Sequence, residues 1–293
     1  MNECLDIFLN YQLLKGNSPA TIEDYNIIIS RFINFTGNIP VDSLTANLVN
    51  NYNIFLRSNL KPVSVRTYIK HIKVFCNYLI KSRYVSFNID DIIVPKVNKT
   101  IVDVLSAYEI SRLLGCFNKN DFFTIRNKAM ILLMLYCGLR ASEVIRLNYK
   151  NVFIDSMYIK VIGKGNKERV VPLGDISMQA LKQYMLGYIL GDCEYIFTSS
   201  SGSPLERSVY KKMFCKLCKQ SGIERLHPHL LRHTFATNFL LYGKGDIYQL
   251  SMILGHTDVR TTEIYLHYAN YYKFMEQKKP YSYIDDLVKN QTT

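Results

Sequence analysis

Two long segments whose apolar residues recur at helical spacing are separated by one that has no such period. Ile92-Ile93-Val94-Pro95-Lys96-Val97-Asn98-Lys99-Thr100 carries a proline and a polar end. Such a stretch punctuates a helical pattern and reads as extended chain. A chain of 293 residues is also long for one hydrophobic core. The sequence therefore predicts two domains, 1–88 and 103–293, joined by a linker over 89–102.

The first domain reads as nearly all helix. Leu5, Phe8, Leu9 and Leu13 keep helical spacing. Ser18-Pro19 opens a second helix, with serine as N-cap and proline in the first turn, and Gly37 ends it. Further helices are expected over about 43–56 and 62–82. In the second domain helices are expected over 106–114 and 122–137, and Gly138 and Ser142 punctuate the next helix junction. Residues 151–154, 157–162 and 169–172 have the β-branched, alternating character of strands. Gly163 and Gly165 mark the turn between the last two. A helix over 178–188, a short strand over 195–197 and mostly helical segments over 207–221 and 229–277 complete the chain. The fold class is mainly α with a small antiparallel β-sheet.

Charge narrows the partner. Lys and Arg number 36 against 24 Asp and Glu, a net +12 with a pI near 9.2. That excess suits a polyanion such as nucleic acid. Residues 1–89 hold 9 basic against 5 acidic side chains and the remainder 27 against 19, so both parts are basic. Two basic domains fit a clamp better than one basic tail would. The acidic start Met1-Asn2-Glu3-Cys4-Leu5-Asp6 lacks the basic region of a signal peptide. The longest apolar run, Ala129–Leu139, is too short to cross a bilayer. A cytoplasmic protein without a membrane partner is expected, its seven scattered cysteines reduced. Cys215-Lys216-Leu217-Cys218 is a lone pair with no second pair to complete a zinc site.

Several residues have the chemistry to act on a phosphodiester. Arg140 follows Gly138 at a helix junction, and a guanidinium matches two phosphate oxygens while never losing its charge. Glu143, one helical turn on, can orient Arg140. Lys164 sits at the tip of the predicted hairpin between glycines that admit a close ligand, with Lys167 and Arg169 as rivals on the same hairpin. His229 and Arg232 share a helix face just after Pro228, where free backbone N–H groups also favour an anion. His233 reads as the outward neighbour. His256 follows Gly255. Tyr265, one of 22 tyrosines, stands out only through these neighbours. Nearby cations are expected to favour its phenolate over the ordinary phenol pKa of roughly 10. On the helix over 62–82, Arg66, Lys70 and Lys73 line one side and can follow phosphates or enter a groove, with Ser64 and Thr67 nearby. Taken singly, each of these has an ordinary structural reading, as a surface ion pair, a solvated hairpin tip or a solvated helix face. No metal is expected: His229 and His233 lack the glutamate of H-E-x-x-H, and Arg232 on the same turn repels a divalent cation.

Taken in order, these stretches resemble a known family. Cys137-Gly138-Leu139-Arg140-Ala141-Ser142-Glu143, Val161-Ile162-Gly163-Lys164-Gly165-Asn166-Lys167-Glu168-Arg169, His229-Leu230-Leu231-Arg232-His233-Thr234-Phe235-Ala236-Thr237, Leu254-Gly255-His256 and Ile264-Tyr265 are similar to the catalytic domain of the tyrosine recombinases, the phage integrase family, in its Xer-like branch. Residues 1–88 resemble the family's helical core-binding, SAM-like domain through the run from Ser18-Pro19-Ala20-Thr21-Ile22 to Phe35. The resemblance implies a two-domain C-shaped clamp with an α+β catalytic domain. It also implies roles. Arg140 and Arg232 would clamp the scissile phosphate, and Lys164 would protonate the 5′-hydroxyl leaving group. His229 would assist proton transfer with Tyr265, and His256 would bind a phosphate oxygen. Tyr265 would attack to give a 3′-phosphotyrosyl bond, with no cofactor, metal or ATP. Partners would be a double-stranded recombination site and a homo-tetramer on two duplexes, a dimer per site, passing through a Holliday junction. A hetero-partner or accessory factor is compatible. The C-terminal stripe Tyr268, Tyr271, Phe274 and Met275 would belong to a helix that docks on a neighbouring protomer. Integration, excision and resolution all fit. The alternative is a type IB topoisomerase-like relaxing enzyme with the same chemistry. Gly243-Lys244-Gly245-Asp246 is one residue longer than the family's usual turn there.

Overall fold

The computed structural model describes residues 1–97, 102–163, 167–188, 193–243 and 245–276. The chain divides into two compact units, Met1–Thr100 and Ile101–Thr293. Among the described residues no helix is long and apolar enough to cross a membrane.

The first unit is four helices: α1 (Asn2–Leu14), α2 (Pro19–Thr36), α3 (Ala46–Asn59) and α4 (Pro62–Lys81). Local sequence sets their ends. Ser18 Oγ accepts from the Thr21 N–H, Pro19 occupies the first turn, and Gly37 closes α2 in the left-handed region. Phe8, Ile29, Phe32, Val49, Val65, Ile69, Ile72, Phe75 and Leu79 fill the core between them. The stretch expected as a free linker begins packed. Ile89–Asp91 forms a 3-10 turn and Ile92 is buried in this core. The Asn50 amide donates to the Asp91 carbonyl and accepts from the Ile93 N–H, while Asn53 donates to the Ile93 carbonyl. These bonds satisfy backbone groups that a free linker would leave to water.

The second unit opens with α5 (Ala107–Gly115), whose Ser106 and Glu109 form a capping box. Next come α6 (Phe122–Cys137) and the short α7 (Ala141–Ile145). Strands β1 (Val152–Phe153), β2 (Tyr158–Ile162) and β3 (Glu168–Pro172) form an antiparallel sheet in sequential order, with Ile159 opposite Val171 and Ile162 opposite Glu168. Helices α8 (Asp175–Tyr188), α9 (Arg207–Ser221), α10 (Pro228–Tyr242), α11 (Ile247–Leu254) and α12 (Glu263–Glu276) follow. The apolar run noted in the sequence lies mostly on α6, which is buried on every side from Ala129 to Leu135 and packs against α8 and α10. The first strand is two residues long rather than four. The strand expected at 195–197 reduces to isolated bridges, Asn148 with Tyr195 and Thr198 with Pro204.

Gly138 ends α6 at φ +66°, and a Cβ there would lie 2.3 Å from the Phe235 ring on α10. Gly37 has φ +72° with nothing within 4 Å of such a Cβ. Gly37→Ala is expected to lose about 1 kcal/mol through backbone strain alone. Gly138→Ala adds a core clash, for a total loss of about 2–4 kcal/mol. Urea denaturation of both variants checks the order, and equal losses would contradict the packing described.

Candidate active site

The site is assembled from ends of elements. Gly138 turns the chain out of α6, Leu139 is buried, and Arg140 becomes the N-cap of α7. Glu143, one turn into α7, reaches back: its Oε2 accepts from the Arg140 backbone N–H at 2.8 Å and its Oε1 from the Arg140 guanidinium at 2.9 Å. The Arg169 fork on β3 reaches the same carboxylate, with Nη1 on Oε1 and Nη2 on Oε2, both at 2.8 Å. Burial alone would raise the Glu143 carboxyl. The hydrogen bond and charge of Arg169, helped by Arg140, outweigh it and hold the group below the usual carboxylate range.

The sequence places Arg169 among the residues facing DNA, and the structure corrects this. Its side chain is 10% exposed, both terminal nitrogens bind Glu143, and Nε donates to the Ile253 carbonyl at 2.6 Å. It ties the sheet to α7 and to the end of α11. Lys167 stays exposed on the hairpin, where the Gly163 N–H donates to its carbonyl at 2.8 Å. Lys164 lies outside the described residues.

Arg232 is buried on α10. It donates to the Gly138 carbonyl and to the Leu254 carbonyl, each at 2.7 Å, so it joins the end of α6 to the end of α11. Burial and then the Arg140 charge lower its pKa to about 10, so it stays a cation at neutral pH. Gly255 closes α11 in the left-handed region and turns out His256. The His256 Nε2 lies 3.3 Å from Arg232 Nη2 and its Nδ1 lies 2.7 Å from Thr262 Oγ1. Arginine only donates, so Nε2 accepts and Nδ1–H points at Thr262. Burial and then Arg232, Arg140 and Arg169 push His256 down to about 4, leaving it neutral.

Tyr265, on α12, is 3% exposed. Its hydroxyl meets His233 Nδ1 at 2.8 Å. Two expectations change here. The imidazole on the phenol is His233, which reads from the sequence as the outward neighbour. His229 stands one step further off, its ring centre 6.3 Å from that of His233. The phenol is also raised rather than lowered. Burial is the largest effect and outweighs Arg232 and Arg140, which pull the other way. The pKa of His229, which is exposed, is lowered by desolvation and then by His227, Arg232 and Arg140.

Beside the site a cavity of ≈ 640 Å³ is lined by Arg140, Ser142, Arg146, Arg207, Lys211 and His229. Arg146, Arg207 and Lys211 are not singled out by the sequence motifs. A signal was available, since Arg207 and Lys211 are one helical turn apart on α9 and share a face. In the first unit Arg66 and Lys70 lie on α4 away from the buried Val65, Ile69 and Ile72, while Lys73 pairs with Asp90 at 3.3 Å.

Comparison with known proteins identifies the family. Residues 103–271 match the phage integrase family, and residues 5–93 match the phage integrase SAM-like domain. The tyrosine recombinase XerD of Listeria innocua is 31% identical over 281 residues, covering 91% of this chain and 94% of that one. The XerD of Halalkalibacterium halodurans is 30% identical over 280 residues, covering 91% and 93%. The XerH site-specific recombinase bound to palindromic difH substrate, a post-cleavage complex, superposes with TM-score 0.74 at 19% identity over 90% of this chain and 80% of that one. A lambda integrase dimer bound to a COC′ core site gives 0.73 at 16% identity, over 90% and 94%. The last two share the fold. The fold is thus that of a tyrosine recombinase, an enzyme. The chain belongs to the phage integrase family.

Arg169→Ala would leave the buried Glu143 with Arg140 as its one remaining guanidinium partner. Removing one partner of a buried ion pair costs about 3–5 kcal/mol. Urea denaturation of the variant is expected to show a loss in that range, and a loss below about 1 kcal/mol would contradict the role given to this pair.

Proposed function

We propose that this chain is a site-specific DNA recombinase that cleaves and rejoins strands through a 3′-phosphotyrosyl intermediate. The carrying observation is the convergence of Arg140, Arg232, His256 and Tyr265, which come from separate helices and their ends. The charges of both Arg140 and Arg232 bear on the buried Tyr265. In the first step the Tyr265 hydroxyl gives up its proton with the assistance of His229, its oxygen forms a bond to phosphorus and the P–O5′ bond breaks. Arg140 and Arg232 hold the non-bridging oxygens, where charge builds in the transition state, and Glu143 with Arg169 fixes Arg140 beforehand. Neutral His256, its Nε2 already among the arginine donors, sits beside the same oxygens. Lys164 on the β2–β3 hairpin gives its proton to the departing 5′-oxygen. Attack by a 5′-hydroxyl on the phosphotyrosine reverses the step and frees Tyr265. Each bond broken is replaced by one of the same kind, so no ATP is consumed and no metal is needed.

Exchange between two duplexes then proceeds through a Holliday junction held by four protomers. Tyr271 on α12 is exposed, which supports docking of the C-terminal segment on a neighbour. The side chains of Phe274 and Met275 lie outside the described residues. Arg66, Lys70 and Lys167, with Arg146, Arg207 and Lys211 along the cavity, meet the phosphate backbone. XerD and XerH are named as recombinases, which favours exchange over simple relaxation of supercoils.

A pool of nicked duplexes of randomised sequence tests the chemistry. Wild-type protein is expected to retain DNA through denaturation, and sequencing that DNA identifies the site. Tyr265→Phe is expected to bind the recovered duplex with unchanged affinity and to lose covalent trapping by about 10³-fold or more. An adduct formed by Tyr265→Phe would overturn the assignment. On a plasmid with two copies of the recovered site, deletion or inversion is expected, and relaxation alone would favour the topoisomerase-like reading.

A further inference from the structure

The contact between His233 and Tyr265 has no place in the roles above, which give proton transfer at the nucleophile to His229. We infer that His233 is the group that takes the Tyr265 proton when the phenol attacks phosphorus, with His229 acting through it or on the phosphate. The inference rests on the reading of Tyr265 as nucleophile.

Geometry separates the two histidines. A general base must stand within about 2.6–3.2 Å of the atom whose proton it removes, directly or through one water. His233 Nδ1 meets that range at 2.8 Å from the Tyr265 hydroxyl. The ring centres of His233 and Tyr265 are 5.6 Å apart, and the next imidazole, His229, is 6.3 Å beyond His233. His233 neighbours both other rings, and it is the one hydrogen-bonded to the phenol. Helix spacing produces this juxtaposition: 229 and 233 are one turn apart on α10, and α12 packs along the same helix.

Protonation states fit the transfer. The charged groups bearing on His233 are His229 and Arg232 from its own helix and His227 just before it. Across from it stands Tyr265 on α12, itself under Arg232 and Arg140. Burial and these neighbours hold His233 down at about 4, so at neutral pH the ring is uncharged and one nitrogen is free to accept. A phenol donating to an unprotonated Nδ1 is the arrangement from which transfer proceeds. Burial is the largest cause of the depression of His233 and Arg232 the smallest, and a bound phosphate would offset the Arg232 part. In the step itself the Nδ1 lone pair takes the phenolic proton while the oxygen–phosphorus bond forms and the P–O5′ bond breaks. The 5′-oxygen receives its proton from the acid assigned to Lys164. In the reverse step His233 returns its proton to the departing phenolate.

His233→Asn separates holding from proton transfer, because an asparagine oxygen accepts a hydrogen bond near the Nδ1 position but takes no proton at neutral pH. The probe is a nicked duplex carrying the sequence recovered from wild-type covalent complexes, with single-turnover cleavage followed from about pH 6 to pH 10, over which the ionised share of a phenol rises steeply even below its pKa. We expect unchanged DNA affinity and melting, cleavage slower by roughly 10²-fold at neutral pH, and recovery toward wild type as rising pH ionises the phenol unaided. A wild-type rate, an equal deficit at every pH, or faster cleavage would each overturn the inference, the last making His233 a restraint on Tyr265. Tyr265→Phe runs alongside: trapping by that variant would sink the nucleophile reading instead and is distinct from every His233 outcome. A DNA-free measurement closes the case where cleavage is too weak to follow. Nitrogen NMR of histidine-labelled protein should show His233 with its proton on Nε2 and a shift at Nδ1 that is lost in Tyr265→Phe; a proton on Nδ1 would overturn the inference.

Discussion

Glu143 accepts four hydrogen bonds, one from the Arg140 backbone, one from the Arg140 guanidinium and two from Arg169. A buried carboxylate left unpaired costs several kcal/mol, and a fully partnered one fixes its donors with little freedom. The rest of the site depends on that fixing. Arg140 is set at the start of α7, where it lines the neighbouring cavity. Arg169 carries the constraint onward to Ile253 at the end of α11, beside the turn that presents His256. Arg232 closes the circuit by joining the carbonyls of Gly138 and Leu254. Three helix ends and one strand are thereby held by guanidinium forks, whose planar geometry a lysine does not reproduce.

The electrostatics follow from the same burial. Arginines gathered around one small site repel one another, and the repulsion is relieved in two ways. Glu143 neutralises part of it, and the imidazoles stay uncharged because desolvation and the arginines together disfavour a further cation. The phenol bears the opposite cost, since burial of Tyr265 disfavours its anion more than Arg232 and Arg140 favour it. A free nucleophile of this kind is quiet. On the function proposed, an incoming phosphodiester would supply the missing negative charge and so couple reactivity to DNA binding.

Much of this is legible in the sequence, for a physical reason. Arg140, Arg232 and His256 lie close to Gly138, Pro228 and Gly255, and such punctuation declares helix ends before any tertiary contact is known. Ser18 and Gly37 likewise fix α2 locally. The misses all concern what tertiary packing decides. Three chemistry-bearing residues lie close together on α10, and only the packing of α12 selects His233 over His229 as the neighbour of Tyr265. Arg169 looks like one more basic hairpin residue until Glu143 is seen beneath it. Ile92 reads as linker until Asn50 and Asn53 take up the backbone around it. The direction of the tyrosine's shift is hidden because nearby cations are visible in a sequence and desolvation is not.

One phenol of the 22 in this chain is held to carry the DNA. Peptide mass mapping of the denatured covalent complex, after nuclease and protease digestion, tests that claim most directly. The nucleotide remnant is predicted on Tyr265, within the peptide that follows His256. A remnant on any other tyrosine, including the nearby Tyr268, or on a residue outside α12, would contradict it.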